Sequence, residues 1–265
     1  MKTTRKQWGI LLIALLLMGM SYAQEKKEKK MFAVHEDVVM PSMLSEYEAV
    51  SKEFTAVMNK YKNEIADLEY LSVSTDDMRY MFVWPIDNMG ELDKNPIAEV
   101  RNKVGAEKFD AMMDRMDKCY TSHTTYTIAM DPYLTYMPEG FSQTQKGHNY
   151  REFHYYYTTP GDMNKLAKVG KKVAELHASK NSPNTYRIYR SGFGAPESFF
   201  MVAISAKDAK HMAERSEANN KLLGQEFNEL RNKALKYTTR YEVKTGWIRE
   251  DLSVSKDSPE TLAKN

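Results

Sequence analysis

The stretches VHEDVVMP (residues 34–41) and FHYYYTTP (residues 153–160) decide the fold of this chain, because they are two copies of one pattern. Their histidines, His35 and His154, lie 119 residues apart, and their prolines are separated by the same distance along the chain. A match that holds at one spacing is typical of an internal repeat. The two stretches therefore predict a tandem duplication, with one strand-like segment at the start of each copy.

The duplication extends into the segments that follow. Apolar residues with the three-to-four spacing of an amphipathic helix recur at the same offset. They are Leu44, Tyr47, Val50, Phe54 and Val57 in the first copy, and Met163, Leu166, Val169, Val173 and Leu176 in the second. RYMFVWP (79–85) then matches SFFMVAIS (198–205) at an offset of 120. HTTYTIAM (123–130) matches TTRYEVKT (238–245) at 115, which sets Tyr126 opposite Tyr241. The changing offset indicates small insertions or deletions in loops.

Each copy reads as strand, helix, strand, strand, helix, strand. We expect strands at about 33–40, 69–75, 79–84 and 123–130 and helices at about 42–63 and 87–118 in the first copy. The second copy has expected strands at about 150–158, 184–190, 198–204 and 238–245 and helices at about 161–179 and 206–236. This βαββαβ order is the ferredoxin-like unit, a four-stranded antiparallel sheet with both helices on one face. Two units in one chain can cover each other's bare faces. The sequence therefore predicts an α+β fold, in which two tandem ferredoxin-like units pack their sheets face to face as a single-chain pseudo-dimeric α/β barrel.

The first residues have the composition of a secretory signal peptide. Three basic residues precede an apolar run from about Gly9 to Met20, and Ser21 and Ala23 place small residues at a cleavage site. We expect a cleaved signal peptide at 1–23, a charged linker at 24–32, the first unit at 33–138, a linker at 139–149, the second unit at 150–254 and a disordered tail at 255–265. The predicted location is secreted or periplasmic, with no membrane association of the mature form; a retained N-terminal anchor is the alternative.

Charge and cysteine content argue against a nucleic-acid-binding protein and against a fold held by internal disulfides. Removing residues 1–23, with three basic and no acidic residues, leaves 35 basic against 36 acidic residues, so no basic surface for nucleic acid is expected. Cys119 is the only cysteine and can form no internal disulfide. We expect it to be a buried small apolar residue.

The predicted architecture resembles the dimeric α/β-barrel superfamily, including its antibiotic-biosynthesis monooxygenase, NIPSNAP and EthD-like groups. The resemblance covers residues 33–254 and rests on element order and duplication. It implies a barrel that is usually made by two subunits and is here made by one chain. The superfamily contains cofactor-independent oxygenases, isomerases, haem-handling enzymes and proteins without known activity, so it selects no function and transfers no catalytic residue.

The candidate ligand-binding residues are His35, Asp37, His154, Tyr156, Arg187 and Tyr189. Strand alternation places His35 and Asp37 on one face of the first strand, with His154 and Tyr156 on the corresponding face of its copy. The alternate residues, such as Val34 and Phe153, are more apolar, so we expect them to face the helices and the histidines to face the space between the sheets. The alternative is that both histidines are hydrogen-bonded core residues. Arg187 and Tyr189 form either a cationic, aromatic edge for an acidic ligand or an exposed strand.

The sequence predicts no metal site and no cofactor, because the six histidines show no close ligand spacing and HEDVV lacks the second histidine of a zinc-protease motif. A metal site assembled from distant strands is the alternative. Three functions remain open. The leading hypothesis is a barrel that binds a small apolar or aromatic molecule. The second is a cofactor-independent oxygenase or isomerase in which a strand histidine acts as the base, so enzymatic activity and catalytic residues stay undecided. The third is an interaction or stress-associated module without a small ligand. The internal pseudo-dimer leaves further oligomerisation open.

Overall fold

The computed structural model describes residues 29–140 and 146–255. Over these residues the chain forms eight strands: β1 (Lys30–Val39), β2 (Leu71–Thr75), β3 (Arg79–Ile86), β4 (Tyr120–Met130), β5 (Tyr150–Tyr157), β6 (Arg187–Ser191), β7 (Phe199–Ala206) and β8 (Arg240–Ile248). The α-helices are α1 (Leu44–Tyr61), α2 (Pro96–Val104), α3 (Ala106–Met116), α4 (Met163–Ser179) and α5 (Ala209–Leu235). Short 3-10 turns lie at Pro41–Met43, Met89–Asp93 and Glu250–Leu252. Among these helices, none is both long and apolar enough to cross a membrane.

The predicted order of elements is confirmed in both copies. Strand β1 begins at Lys30, so the predicted linker of 24–32 ends earlier than expected. The expected signal peptide and residues 256–265 of the expected tail lie outside the described residues, as does the middle of the linker at 139–149. Cys119 is fully buried in the core of the first unit, as predicted.

The eight strands close into one barrel in the order β1-β3-β2-β8-β5-β7-β6-β4. Each unit contributes a four-stranded antiparallel sheet, and the two sheets also hydrogen-bond edge to edge at two seams, β2 with β8 and β4 with β6. Because the barrel is closed, each of the eight described strands is paired on both sides. At the β2–β8 seam the strands approach so closely that a Cβ on Gly246 would lie 2.2 Å from the backbone oxygen of Ser74.

Both faces of the barrel wall are packed. The lumen is lined by apolar side chains from every strand, including Phe32, Val34, Met81, Phe153 and Tyr155. The outer face of each sheet is covered by the helices of its own unit, and each pair of layers encloses a separate apolar core. Strands buried on both sides do not show a simple apolar and polar alternation.

The long second helix of each unit is interrupted at an equivalent glycine. Gly105 (φ 94°) separates α2 from α3, and Gly224 (φ 66°, ψ −149°) produces a kink within α5. The two glycines are 119 residues apart, the offset of the strand histidines. The sequence indicates Gly224 as the weaker interruption, whereas its backbone leaves the helical region altogether. Glycine is suited to both positions because residues with a Cβ rarely adopt these angles.

Candidate ligand-binding site

The predicted orientation of the strand histidines is wrong. His35, Asp37, His154 and Tyr156 face the helices, while the alternate residues face the lumen. Glu36 lies on the lumen face and is satisfied there, because its carboxylate accepts a hydrogen bond from the Tyr126 hydroxyl at 3.0 Å and is paired with Arg79. Since both faces of these strands are buried, greater apolarity does not identify the helix-facing side.

Arg187 and Tyr189 face the lumen instead of forming an edge. Both are about 95% buried, so the interpretation of an exposed strand is also wrong. They line a lumen cavity of about 170 Å³, and the Arg187 guanidinium donates a hydrogen bond to the Ser205 hydroxyl at 2.8 Å. Burial lowers the pKa of the Arg187 guanidinium. The six predicted residues therefore divide among three places: the lumen, the helix side of the first unit and the helix side of the second unit.

A larger cavity lies in the second unit, between the outer face of its sheet and helices α4 and α5. We call it the helix-side cavity, and its volume is about 290 Å³. Its walls are mainly aliphatic and aromatic and include Leu166, Val169, Val173, Phe200, Val202 and Phe227. Apolar walls with a few placed polar groups are typical of small-molecule sites. His154 and Tyr156 line this cavity, which brings together two of the six predicted residues.

His154 is held at the cavity wall by two hydrogen bonds. Its Nε2 lies 2.7 Å from Glu152 Oε1 and its Nδ1 lies 2.6 Å from the Tyr241 hydroxyl. A carboxylate can only accept, so we assign the imidazole proton to Nε2 and have Nδ1 accept from Tyr241. The His154 hydrogen bond lowers the pKa of Glu152 against the opposing effect of burial.

Tyr156 and Arg231 lie beside these three residues. We call the five together the polar cluster: Glu152, His154, Tyr156, Tyr241 and Arg231. The rings of Tyr156 and Tyr241 lie with centroids 4.9 Å apart, and the exposed Arg231 on α5 lines the same cavity. Burial raises the pKa of both tyrosines, and the positive charge of Arg231 partly opposes this rise. The cluster thus combines an imidazole, a carboxylate, two hydroxyls and a guanidinium along one cavity wall.

The wall also contains a buried phenol without a hydrogen bond. Tyr186 lines the helix-side cavity, and its hydroxyl has no hydrogen-bond partner among the described residues. Strand register makes Tyr70 its counterpart in the first unit, where the Tyr70 hydroxyl lies 3.2 Å from Thr55 Oγ1. The residue equivalent to Thr55 at the helix offset of 119 is Ala174, which has no hydroxyl to offer. An unpaired buried polar group is uncommon and requires an explanation.

The same comparison explains the cavity itself. Val173 is equivalent to Phe54, whose ring packs against Tyr70 and Phe109 in the core of the first unit. A valine cannot fill the volume of a phenylalanine, so the second unit has a smaller side chain where the first has a core ring. This size difference is visible in the repeat alignment and could have identified the cavity from sequence.

Tyr241 and Glu152 were missed at the sequence level. The predicted match of Tyr126 with Tyr241 is wrong, because β1 pairs Asp37 with His123 while β5 pairs Tyr156 with Tyr241. The true offset between β4 and β8 is 118, which makes His123 the counterpart of Tyr241. With that register the three outward positions carry His35, Asp37 and His123 in one unit and His154, Tyr156 and Tyr241 in the other.

Comparison with known proteins identifies the architecture. No protein-family model and no curated protein matches the sequence. A solved structure of an anthrone oxidase-like protein has 10% identity and a TM-score of 0.57, covering 84% of this chain and 93% of its own. A candidate monooxygenase from Fusobacterium nucleatum has 9% identity and a TM-score of 0.51, with coverage of 84% and 93%. One from Lactobacillus acidophilus has 12% identity and a TM-score of 0.50, with coverage of 87% and 100%. The similarity at this identity concerns the fold, and together with the closed barrel it shows that the chain has the dimeric α/β-barrel fold with both halves in one polypeptide.

Proposed function

We propose that the protein binds a small, mainly aromatic or apolar molecule in the helix-side cavity of the second unit. The observation that carries this proposal is the cavity of about 290 Å³ with apolar walls and His154 held between Glu152 and Tyr241 along one side. Ligand pockets commonly measure about 300–1,000 Å³, so the ligand should be small, of one or two rings. The third hypothesis, an interaction module, would be favoured by a long exposed apolar patch without a pocket, whereas the two cavities among the described residues favour a small ligand.

The polar cluster gives the ligand a preferred orientation. Leu166, Val169 and Phe200 offer contacts to a ring, while Arg231 offers donors to one polar substituent. The Tyr241 hydroxyl, whose hydrogen goes to His154, can accept a hydrogen bond from the ligand. An anionic or phenolic substituent fits this arrangement best, because Arg231 supplies positive charge beside the two tyrosines. The unpaired Tyr186 hydroxyl is a further group that a ligand or water could satisfy after a small shift.

The direct test is to fill the cavity with the residue that the first unit already has. Val173→Phe should reduce binding of the fluorescent probe 1-anilinonaphthalene-8-sulfonate at least tenfold, because the added ring occupies the probe's space. The matched control is Val57→Phe, which makes the same exchange at a half-buried position of α1 in the first unit. Wild-type affinity in Val173→Phe, with folding intact by circular dichroism, would contradict the proposed site.

Native mass spectrometry addresses the natural ligand. The processed protein, purified without denaturation from a host that secretes it, should carry a small molecule whose occupancy falls in Val173→Phe and stays unchanged in Val57→Phe. Intact mass and N-terminal sequencing of the same sample test the proposed processing, for which we expect a chain that begins at Gln24.

A second candidate function is general-base catalysis by His154. The specific observation is the Glu152–His154 pair in the cavity wall, because the carboxylate holds the imidazole proton on Nε2. The other nitrogen, Nδ1, can then take the hydroxyl proton of Tyr241 while that phenol takes a proton from the substrate. Anthrone is a suitable probe, because removal of its acidic C–H proton gives an anion that dioxygen oxidises: one anthrone and one O₂ give one anthraquinone and one water. The name of the anthrone oxidase-like structural neighbour motivates this choice.

The two candidates predict different results for His154→Asn. If His154 is a base, the wild type accelerates anthraquinone formation, and the variant forms anthraquinone about 10²–10⁴-fold more slowly than the wild type. If the site only binds, the wild type gives no acceleration with anthrone while both proteins still retain the fluorescent probe. The measurement is absorbance of anthraquinone together with oxygen uptake.

A further inference from the structure

A second cluster of chemically active side chains lies on the helix side of the first unit and shares no residue with the helix-side cavity. His35 Nε2 lies 3.4 Å from Asp37 Oδ1, and His123 Nδ1 lies 3.2 Å from the same oxygen. One donor atom from each of the three residues falls within 4.8 Å of the other two. We propose that His35, Asp37 and His123 form a binding site for a divalent transition-metal ion, of which Zn²⁺ is the reference case.

Two of the three distances in the cluster match those between ligands of one metal ion. Two ligand atoms that each lie about 2.05 Å from one ion at a tetrahedral angle are about 3.3 Å apart. The two measured separations from Asp37 Oδ1 are 3.2 and 3.4 Å, so the carboxylate oxygen already stands at this distance from both imidazole nitrogens. An ion can therefore bind with small side-chain movements.

In Asp37 and His35, the polar atom that would not touch the ion is held by a neighbour. Tyr47 donates its hydroxyl hydrogen to Asp37 Oδ2 at 2.7 Å, and Thr125 Oγ1 lies 3.0 Å from His35 Nδ1. These contacts direct Asp37 Oδ1 and His35 Nε2 toward His123. Outer hydrogen bonds of this kind orient the ligands of metal sites. His123 is oriented by stacking on the ring of Tyr120, with the centroids 5.2 Å apart.

Exposure and donor type define the ion. The Asp37 side chain is 2% exposed, whereas those of His35 and His123 are 25% and 51% exposed, so the site opens toward solvent. Two imidazoles and one carboxylate suit Zn²⁺ and the other later first-row divalent ions, whereas Mg²⁺ and Ca²⁺ prefer oxygen ligands. Three protein ligands leave at least one coordination position for water or a small anion.

The cluster is formed by the fold and not by a local motif. His35 and Asp37 lie on β1, and His123 comes from the neighbouring β4, 86 residues beyond Asp37. A search for close histidine spacing therefore does not detect it. The equivalent positions of the second unit carry His154, Tyr156 and Tyr241, which replace the carboxylate and one imidazole by phenols.

The test is calorimetric titration with Zn²⁺ and with Mg²⁺. The sample is the protein without its expected signal peptide, treated with a chelator and then dialysed. We expect one Zn²⁺ per chain and no comparable signal with Mg²⁺. His123→Gln should weaken Zn²⁺ binding by at least tenfold, and because His123 is half exposed the variant should keep its fold. The control is His211→Gln, which removes a histidine that packs against His148 elsewhere in the molecule and should bind Zn²⁺ within threefold of wild type.

A second variant and a spectroscopic measurement keep the proposal testable if His123→Gln is poorly folded. His35→Gln should weaken Zn²⁺ binding in the same way, and X-ray absorption of the zinc-loaded wild type should show two imidazole ligands. The proposal is overturned if the wild type binds no zinc at one ion per chain, if both variants bind it as the wild type does, or if binding is lost in His211→Gln instead.

Discussion

The two units approach each other closely at Gly246, so even Gly246→Ala, which adds one methyl group, should lower the free energy of unfolding substantially. A Cβ at this position would lie 2.2 Å from Ser74 O and 3.2 Å from Thr75 Cα, and both atoms belong to the backbone of β2. An ordinary carbon–oxygen contact is about 3.3 Å, so Gly246→Ala must move the strands apart by about 1 Å. No side-chain rotation can relieve this contact.

The magnitude follows from the seam that would be displaced. The β2–β8 ladder has only three residue pairs, from Val73 with Ile248 to Thr75 with Gly246. Loss of two or three backbone hydrogen bonds at about 1 kcal/mol each, offset by about 0.5 kcal/mol from the lower entropy of the unfolded alanine chain, gives a destabilisation of about 1.5–2.5 kcal/mol. The assay is urea denaturation followed by circular dichroism, with the free energy of unfolding extrapolated to water.

Gly170→Ala is the matched control for this prediction. A Cβ at Gly170 would lie 3.7 Å from Leu134 Cδ1 and 3.9 Å from Ile188 Cδ1, which are ordinary contacts. Because alanine favours a helix by about 1 kcal/mol over glycine, this variant should be as stable as the wild type or slightly more stable. If the unfolding free energy of Gly246→Ala is within 0.5 kcal/mol of the wild-type value, roughly a quarter of the expected loss, then barrel closure does not depend on the close contact between β2 and β8, and the reasoning is refuted.

Three further predictions concern single residues. Gly224→Ala should cost about 1–3 kcal/mol of unfolding free energy in the urea assay, because φ 66° and ψ −149° suit only glycine; an unchanged value would mean that α5 straightens at no cost. Burial opposes ionisation of Asp77, but hydrogen bonds from Lys244 and two other groups lower the pKa of Asp77 to about 2. Its folded pKa is below the unfolded value of about 3.9, so its stabilisation is present above pH 4 and is lost as the pH falls toward 2. Discounted for solvent screening, Asp77→Asn should lose about 1 kcal/mol at pH 7 and only a small fraction of that at pH 2, and a loss that is equal at both pH values would contradict the assignment. Tyr47→Phe should cost about 1–3 kcal/mol at pH 7, because it removes the 2.7 Å hydrogen bond to the buried Asp37 carboxylate; a neutral effect would show that this bond adds nothing.

The fold could be predicted from sequence because duplication doubles the signal. The strand-like stretch before Pro41 and its copy before Pro160 are each too short to identify a topology, but the shared offset predicted the order of the elements in both halves. Asp76 and Asp77 in the first copy, and SGFGAPES (191–198) in the second, are turn sequences between short apolar runs and predict the β2–β3 and β6–β7 hairpins. These features are local or repeated, so they can be identified from the sequence alone.

The orientation of the strands could not be predicted by the same means. Choosing the more apolar face of β1 assumes that the other face is polar, but Val34 and Val39 are both 2% exposed on opposite sides of that strand. The register of β8 was also misjudged, because matching Tyr126 with Tyr241 by residue type ignores the backbone pairing that sets Tyr241 opposite Tyr156. Both errors concern long-range pairing, which a single sequence does not encode locally.

Placing both halves of the barrel in one chain allows each half to change separately. In a barrel made by two identical subunits, every substitution appears twice, so a cavity opened in one half is opened in the other and its cost is doubled. Each large-to-small change in a core costs on the order of 1–4 kcal/mol. Here Phe54 retains a packed core in the first unit while Val173 leaves space in the second. The outward strand positions differ correspondingly, with histidine, aspartate and histidine in one unit and histidine, tyrosine and tyrosine in the other. One barrel thus has two chemically different sites, the helix-side cavity of the second unit and the His35–Asp37–His123 cluster of the first. Val173→Phe should therefore weaken only probe binding in the cavity, and His123→Gln only zinc binding at the cluster.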